Sequence, residues 1–145
     1  IYFMKIDYQK IFKKNIIKIL IDVLKTIEKE GLVQGHHLYI TFETNHKKVL
    51  IPKWLKDKYP KEMTIVIQYE YYNLKVKKDK FLIGLSFNNI KTNLEISYES
   101  VISFADPYAN FGLKLIEKDK DTKSINKNKQ TNNVIDFTKY KDHSK

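Results

Sequence analysis

The sequence predicts an α+β fold in which one long N-terminal helix precedes a small β-sandwich or open barrel. Apolar residues recur every three or four positions near the start, and from His37 onward several short runs alternate between apolar and polar residues. The length of 145 residues suits one domain that is large enough to bury a real core. One helix followed by many closely spaced strands is typical of an α+β chain.

The first element is an amphipathic helix from about Asp7 to Glu30. Asp7 is a suitable N-cap, and Gly31 lies where a left-handed C-cap is expected. The apolar stripe is broad, because Ile17 and Ile21 extend it beyond one face. A stripe of this width suits a helix that faces the core, or one that also packs against a partner subunit. Its other members are Ile11, Phe12, Ile16, Ile19, Leu20, Val23, Leu24 and Ile27.

The strands that follow are short and rich in β-branched and aromatic residues. His37–Thr44 alternates as a half-buried strand should, and Lys48–Ile51 is predicted as a short strand that ends at Pro52. Lys53–Tyr59 resembles one or two helical turns that end at Pro60. Further strands are expected at Met63–Tyr69, Leu74–Val76, Phe81–Phe87, Leu94–Tyr98 and Phe111–Ile116.

Turn residues separate the later strands. Asn88-Asn89 and Lys91-Thr92-Asn93 both carry side chains that favour turns, so both are predicted as turns. Ser100–Phe104 is interpreted as a helical turn.

After Ile116 the composition becomes polar. Glu117–Asn133 contains Ile125 as its one apolar residue, which predicts a disordered tether. Apolar residues then return in Val134–Lys141, far from any core they could join. We interpret this stretch as a short linear motif that docks on another protein; a stray hydrophobic cluster is the alternative.

The charge is large but consists of lysine alone. The net charge is +10, and all 27 basic residues are Lys. Arginine supplies the bidentate contacts by which proteins usually bind phosphates and guanine edges, so nucleic-acid binding is disfavoured. The absence of cysteine excludes disulfides, thiol catalysis and cysteine-ligated zinc, and it fits a reducing cytosol. The opening residues predict no signal peptide, and no apolar run is long enough to span a bilayer.

The sequence contains few residues that could form a catalytic or metal site. His36 and His37 are adjacent, so on a strand they would point to opposite faces and could not ligate one metal together. The glycines form no phosphate-binding loop, and no serine lies in a nucleophile elbow. Glu43, Glu70 and Glu95 could pair across strands, but surface carboxylates are common there. We therefore predict no enzyme activity, no cofactor and no metal.

Five strings of residues occur in a fixed order along the chain: His36–Phe42 (HHLYITF), Lys58–Gln68 (KYPKEMTIVIQ), Gly84–Ile90 (GLSFNNI), Phe104–Pro107 (FADP) and Phe111–Leu113 (FGL). Together they resemble the stringent starvation protein B (SspB) family, whose members deliver tagged substrates to the ClpXP protease. The resemblance is greatest to the alpha-type branch of that family. It covers about Asp7–Ile116 and resumes at Val134–Lys141.

The resemblance implies an Sm-like β-sandwich with a peptide groove, an N-terminal helix that forms a homodimer, and a flexible tail that docks on the ClpX N-terminal domain. The groove would bind the ssrA tag that ribosome rescue adds to stalled chains. The implied divisions are an extension at 1–6, a tag-binding and dimerisation domain at 7–116, a linker at 117–133 and a docking motif at 134–145. The dimer contacts would be Ile16, Ile17, Leu20, Ile21 and Leu24, and the protease-docking residues Val134, Ile135, Phe137, Tyr140 and Lys141.

The predicted groove lies between the end of one strand and the tip of a hairpin. The Gln68 amide can both donate to and accept from an extended peptide backbone, although a solvated strand end would also place a glutamine there. Phe87–Ile90 would form the opposing lip, with Asn88 and Asn89 where the family often has glycines. Core packing explains Phe87 and Ile90 almost equally well. The predicted peptide contacts are Val66, Gln68, Tyr69, Leu85, Phe87, Asn88 and Ile90.

The main prediction is thus a non-catalytic proteolysis adaptor in the bacterial cytoplasm, with ssrA-tagged polypeptides and ClpX as partners and no membrane contact. The alternative is a small Sm-like RNA-binding barrel in which Tyr69, Tyr71 and Tyr72 stack on bases. The terminal apolar motif favours the adaptor, because an RNA binder does not need one.

Overall fold

The computed structural model describes residues 5–32 and 34–115. Within these two ranges a long helix comes first, and seven strands and one short helix follow it. The elements are α1 (Tyr8–Glu30), β1 (Leu38–Glu43), α2 (Lys53–Lys58), β2 (Glu62–Ile67), β3 (Tyr72–Val76), β4 (Lys80–Phe87), β5 (Ile90–Ser97), β6 (Val101–Asp106) and β7 (Phe111–Lys114). Single 3₁₀ turns at Tyr98–Ser100 and Pro107–Ala109 flank β6.

Both ends of α1 are capped at the predicted residues, although Gly31, with a ψ of 170°, does not adopt the expected left-handed helical conformation. The Asp7 side chain accepts a hydrogen bond of 3.0 Å from the backbone N–H of Lys10. Gly31 has a φ of +81°, and its N–H donates to the carbonyl of Ile27 at 2.8 Å. Among the described residues, no helix combines the length and the apolar composition that crossing a bilayer requires. The buried side chains of α1 are spaced at three or four positions: Ile16, Leu20, Leu24 and Ile27.

The strands form two antiparallel sheets. The first sheet has the order β2-β1-β6-β7, and the second has the order β3-β4-β5. One continuous core lies between the sheets and α1, because buried residues of all three belong to the same apolar cluster. The predicted α+β architecture of a helix followed by antiparallel sheets is confirmed. The largest fully buried side chains are Phe42, Phe81 and Phe104.

The predicted strand at 48–51 is wrong, because only one residue of it pairs. Leu50 exchanges backbone hydrogen bonds of 2.9 and 3.0 Å with Glu95 of β5 and forms an isolated bridge. Two positions later Pro52 has no N–H to extend a ladder, and α2 begins directly after it.

The turn predicted at Lys91–Asn93 is also wrong, since these residues belong to β5. Asn88 and Asn89 have φ values of +52° and +67°, which suit a two-residue hairpin turn of type I′. That turn is complete in itself, so Phe87 pairs with Ile90 and the ladder continues without interruption.

The segment Ser100–Phe104, predicted as a helical turn, is mainly strand. The 3₁₀ turn ends at Ser100, and β6 begins at Val101. β6 lies in the interior of the first sheet between β1 and β7, and residues 101–105 are all buried. A strand covered on both faces lacks the alternation by which half-buried strands are predicted.

Candidate functional site

The chain passes from the first sheet to the second through the residues between β2 and β3. Both strands are edge strands of their sheets. Gln68 directly follows β2 and is half-buried, and its side chain has no hydrogen-bond partner among the described residues. The next residue, Tyr69, is 83% exposed. This connection therefore offers an unused amide and a free aromatic ring beside a sheet edge.

The tip of the β4–β5 hairpin exposes an apolar pair. Phe87 and Ile90 are cross-strand partners on either side of the Asn88-Asn89 turn. Phe87 is half-buried, whereas the Ile90 side chain is 53% exposed. The turn holds the two apolar side chains next to each other.

Trp54 extends this apolar lip, and the sequence interpretation missed it. Its ring meets that of Phe87 edge to face, with centroids 6.4 Å apart and an interplanar angle of 76°. Trp54 lies on α2 next to the buried Leu55 and remains 40% exposed. A tryptophan on a short helix whose other residues are four charged side chains and the buried Leu55 is the signal in the sequence that could have pointed to it. We use "aromatic lip" for Trp54, Phe87 and Ile90.

Tyr72 is held against Gly84 on the second sheet. Tyr72 and Gly84 are register partners of β3 and β4, and a Cβ placed on Gly84 would overlap the Tyr72 ring. Lys91 places its Nζ 5.5 Å from the centroid of the same ring. Tyr71 is half-buried against the core. Of the three tyrosines proposed to stack on RNA bases, only Tyr69 is largely exposed.

Val66 and Leu85 do not meet. Val66 packs with Tyr39 and Ala105 in a separate small cluster on the outer face of the first sheet. Its neighbours on β2 point the other way, into the core between the sheets, where Leu85 is buried. Alternate residues of a strand face opposite sides, so one groove cannot be lined by both Val66 and Leu85. Leu85 supports the hairpin from inside.

The helix residues predicted to contact a partner subunit are largely used within the chain. Ile16, Leu20 and Leu24 are buried in the chain's own core. Ile17 and Ile21 are half-buried and pack against that core. A partner helix would therefore meet α1 beside these residues rather than on them. The large apolar side chains that α1 leaves exposed are Tyr8, Ile11 and Ile19.

The predicted docking residues lie outside the described part of the chain. These are Val134, Ile135, Phe137, Tyr140 and Lys141, together with the linker at 117–133. The predicted extension at 1–6 is described only for Lys5 and Ile6.

An apolar cavity of about 320 Å³ opens at the C-terminal half of α1, and no sequence pattern indicated it. Val23 and Ile27 form its helical wall. Leu38 at the start of β1, Phe104 of β6 and Phe111 at the start of β7 form the opposite wall. The walls come from four separate elements, so only the tertiary structure assembles them.

A histidine–carboxylate pair forms the rim of this cavity. His36 Nδ1 lies 2.5 Å from Asp106 Oδ2 in a hydrogen bond, and the His36 ring contacts Tyr108 edge to face with centroids 4.6 Å apart. The other carboxylate oxygen of Asp106 accepts the backbone N–H of Ala109 at 3.2 Å. This pair ties the segment before β1 to the end of β6. Among the described residues, no group of three or more potential ligands is placed to hold a metal ion.

A second concavity, of about 470 Å³, lies on the second sheet beside the Leu50 bridge. Its lining is mixed, because Lys75 and Glu95 border it as well as Leu50 and Leu82. Glu95 is engaged there by Lys80, whose Nζ lies 2.7 Å from the carboxylate. That hydrogen bond raises the pKa of Lys80. Lys80 and Glu95 thus form an ion pair between β4 and β5, and we interpret this pair as structural.

Tyr98 is the other described residue with a shifted pKa. Burial raises the pKa of its phenol to about 12, and the negative charges of Asp79 and Glu28 act in the same direction. The hydroxyl donates a hydrogen bond of 2.8 Å to the carbonyl of Lys77. The raised pKa is thus that of a buried phenol whose hydrogen bond closes the loop before β4, and we assign it a structural role.

A family model described as stringent starvation protein B matches residues 12–145, which is most of the chain. A search of curated proteins found no match.

Proposed function

The chain belongs to the stringent starvation protein B family, and on this premise we propose that it is a non-catalytic adaptor that binds ssrA-tagged proteins and tethers them to ClpX. Family membership itself supports an adaptor-type role in ClpXP proteolysis rather than an enzymatic one. The tag, the ClpX contact, the homodimer and the bacterial cytoplasm are the finer parts of this proposal.

The observation that carries tag binding is the exposed aromatic lip, and the edge strand β2 supports it. Peptide-binding proteins commonly offer a free strand edge for the peptide backbone and apolar surface for alternate side chains. Here β2 is an edge strand, and Trp54, Phe87 and Ile90 remain partly exposed instead of completing the core. Exposed large apolar side chains that touch one another favour a binding surface.

Gln68 supports the same proposal. Its amide carries donors and an acceptor, and none of them is used within the described residues. An extended peptide running past the end of β2 would satisfy both kinds of group at once. Val66 faces the outer side of the first sheet, so we keep Gln68, Tyr69, Phe87, Asn88 and Ile90 as the proposed peptide contacts and add Trp54.

The tail suits a tether. Glu117–Asn133 supplies 17 residues, all polar except Ile125, which as a random coil would span about 20–25 Å. Val134–Lys141 would then dock on the ClpX N-terminal domain. In a homodimer the two tails would act together, since linked sites have effective concentrations on the order of millimolar. Weak docking by each tail is therefore sufficient.

The experiment is a fluorescence-anisotropy titration of a labelled peptide that ends in the host's ssrA tag. We expect saturable binding by the full chain, about tenfold weaker binding by Gln68→Ala, and unchanged binding by a chain stopped after Asn133. Tyr108→Ala is the matched control, because Tyr108 is a 68% exposed aromatic residue that contacts the His36 ring and is not part of the aromatic lip. Absence of binding at about 100 μM of the full chain would exclude a useful tag contact.

An RNA oligonucleotide titrated in parallel separates the alternative. Phosphate binding weakens steeply as salt rises, whereas binding to a largely apolar lip changes little. Salt-sensitive RNA binding without peptide binding would replace the adaptor proposal.

A further inference from the structure

The apolar cavity at the end of α1 plays no part in the proposed tag site. Its opening leaves Phe111 40% exposed, although the Phe111 ring also packs on Phe104 with centroids 6.1 Å apart. The volume of about 320 Å³ is near the lower end for ligand sites, which are commonly about 300–1,000 Å³. A space of this size and lining suits a few apolar side chains of a peptide.

We propose that this cavity binds the chain's own C-terminal segment, Val134–Lys141. That segment presents four apolar or aromatic side chains, Val134, Ile135, Phe137 and Tyr140, within seven residues. The preceding stretch, Glu117–Asn133, contains one apolar residue, Ile125, and so could not fill an apolar cavity.

The point at which the chain leaves the described structure brings the segment within reach. Phe111 lines the cavity and begins β7, which ends three residues later at Lys114. Three residues of strand cover about 10 Å. The polar stretch Glu117–Asn133 spans about 20–25 Å as a random coil, so it can return the segment to the cavity without being fully extended.

Charge at the cavity favours the same occupant. The C-terminal end of α1 lies at its mouth, where Gly31 and Leu32 line the opening. The carbonyl end of a helix carries partial negative charge and favours a nearby cation. Lys139 and Lys141 flank Tyr140 in the segment and can supply that cation.

The consequence for delivery rests on the proposed function. A segment held in the cavity is not available to ClpX, so the fraction of free tails sets the apparent affinity for the unfoldase. The adaptor would thus carry a self-docking latch that the protease must compete with. The contact itself requires neither tag binding nor ClpX.

The test uses a labelled peptide of residues 134–145 and the chain stopped after Asn133. We expect saturable binding with a Kd of about 100 μM, and at least fivefold weaker binding to the full chain, whose own tail occupies the cavity at an effective concentration of order millimolar. Phe111→Ala in the shortened chain should weaken binding at least fivefold. Ile90→Ala is the control, because it removes exposed apolar surface at the aromatic lip instead.

A second variant guards against a folding defect in Phe111→Ala. Thr26 lines the cavity from an exposed position on α1, so Thr26→Lys adds bulk and positive charge without entering the core. It should also weaken binding of the basic peptide. The ssrA peptide titrated against both variants should bind as to the unmodified chain, which separates this inference from the proposed function.

Three results would overturn the proposal. One is no saturable binding of the 134–145 peptide up to about 1 mM. A tail with so weak an affinity would be mostly unbound even at a millimolar effective concentration. Another is equal binding by the full and the shortened chain. The third is binding that Ile90→Ala abolishes and both cavity variants leave unchanged, which would place the segment on the aromatic lip.

Discussion

Trp54 of α2 and Phe87 of β4 meet edge to face at the surface, with ring centroids 6.4 Å apart. The contact joins the short helix to the tip of a hairpin in the second sheet. Neither ring is fully buried, so the pair combines a structural contact with an exposed apolar surface. The chain has one tryptophan, and its emission therefore reports on this surface alone.

Phe87→Ala should weaken ssrA-peptide binding about tenfold and shift the Trp54 emission to longer wavelength. The variant removes the ring that covers one edge of Trp54, so water reaches the indole. The measurement is tryptophan fluorescence during a peptide titration. Phe111→Ala serves as the control, because it removes a partly exposed phenylalanine ring at the cavity beside α1 and leaves the aromatic lip intact. Equal loss of binding in both variants would indicate general destabilisation and count against a local lip.

Gly84→Ala should destabilise the fold by about 1–3 kcal/mol. The added Cβ would overlap the Tyr72 ring, which packs against β4 at Gly84 and would have to move away. The check is urea unfolding of Gly84→Ala, Tyr72→Ala and the double variant. If the overlap is the cause, the double variant loses less than the sum of the two single changes. Additive losses would show that the ring does not limit the size of residue 84.

Tyr98→Phe should lower the free energy of unfolding by about 0.5–1.5 kcal/mol at neutral pH, because the hydrogen bond to the Lys77 carbonyl is lost. The ring stacking with Phe81, at 5.9 Å between centroids, is retained. Tyr69→Phe, at an exposed ring, should change the stability little.

The same phenol predicts a loss of stability in alkali. Its pKa is raised from 10.0 to about 12 in the folded chain, so the unfolded chain releases the proton first. The contribution is complete below pH 10 and is lost as the pH rises towards 12. Denaturant unfolding between pH 8 and about 11.5 should therefore show a steeper decline for the unmodified chain than for Tyr98→Phe. Parallel curves would contradict this assignment.

Asn89→Gly should stabilise the β4–β5 hairpin by about 0.5–1 kcal/mol, because the relief of left-handed backbone strain outweighs the added flexibility of glycine in the unfolded chain. Asn89 has a φ of +67°, where glycine has no steric cost, and Asn-Gly is the preferred pair for a type I′ turn. Thermal unfolding measures the gain. Asn93→Gly is the control, because Asn93 lies within β5 and glycine there should destabilise. A gain at both positions would speak against the turn as the cause.

Local sequence patterns were sufficient to predict those structural features that depend on residues close together in the chain. The helix repeat, the Asp7 cap and the Gly31 end predicted α1 to within one residue, because capping and amphipathic burial act over a single turn. The Asn88-Asn89 turn was likewise predicted from side chains that tolerate left-handed backbone. The five ordered strings predicted the family that the family model matches.

Segments whose environment comes from elsewhere in the chain were not predicted correctly. β6 was missed because both of its faces are covered, so its residues show no alternation. Lys91–Asn93 has turn-forming side chains, yet pairing with β4 draws it into β5. Val66 and Leu85 are each two residues from a predicted groove residue, Gln68 and Phe87. The alternation of side chains along β2 and the packing of the two sheets nevertheless place them on different sides of the first sheet.

The sequence by itself determined the long capped helix, the series of short strands, the tight hairpin turn and the family. Each of these depends on residues a few positions apart or on an ordered set of strings. Only the tertiary structure decided which apolar residues stay exposed: Trp54 reaches Phe87, while Ile16, Leu20 and Leu24 are enclosed by the chain's own sheets. It also assembled the cavity of Val23, Phe104 and Phe111 from separate elements. Burial depends on which distant segments pack together, and a local pattern of apolar residues cannot distinguish a side chain that fills the core from one that the fold leaves at its surface.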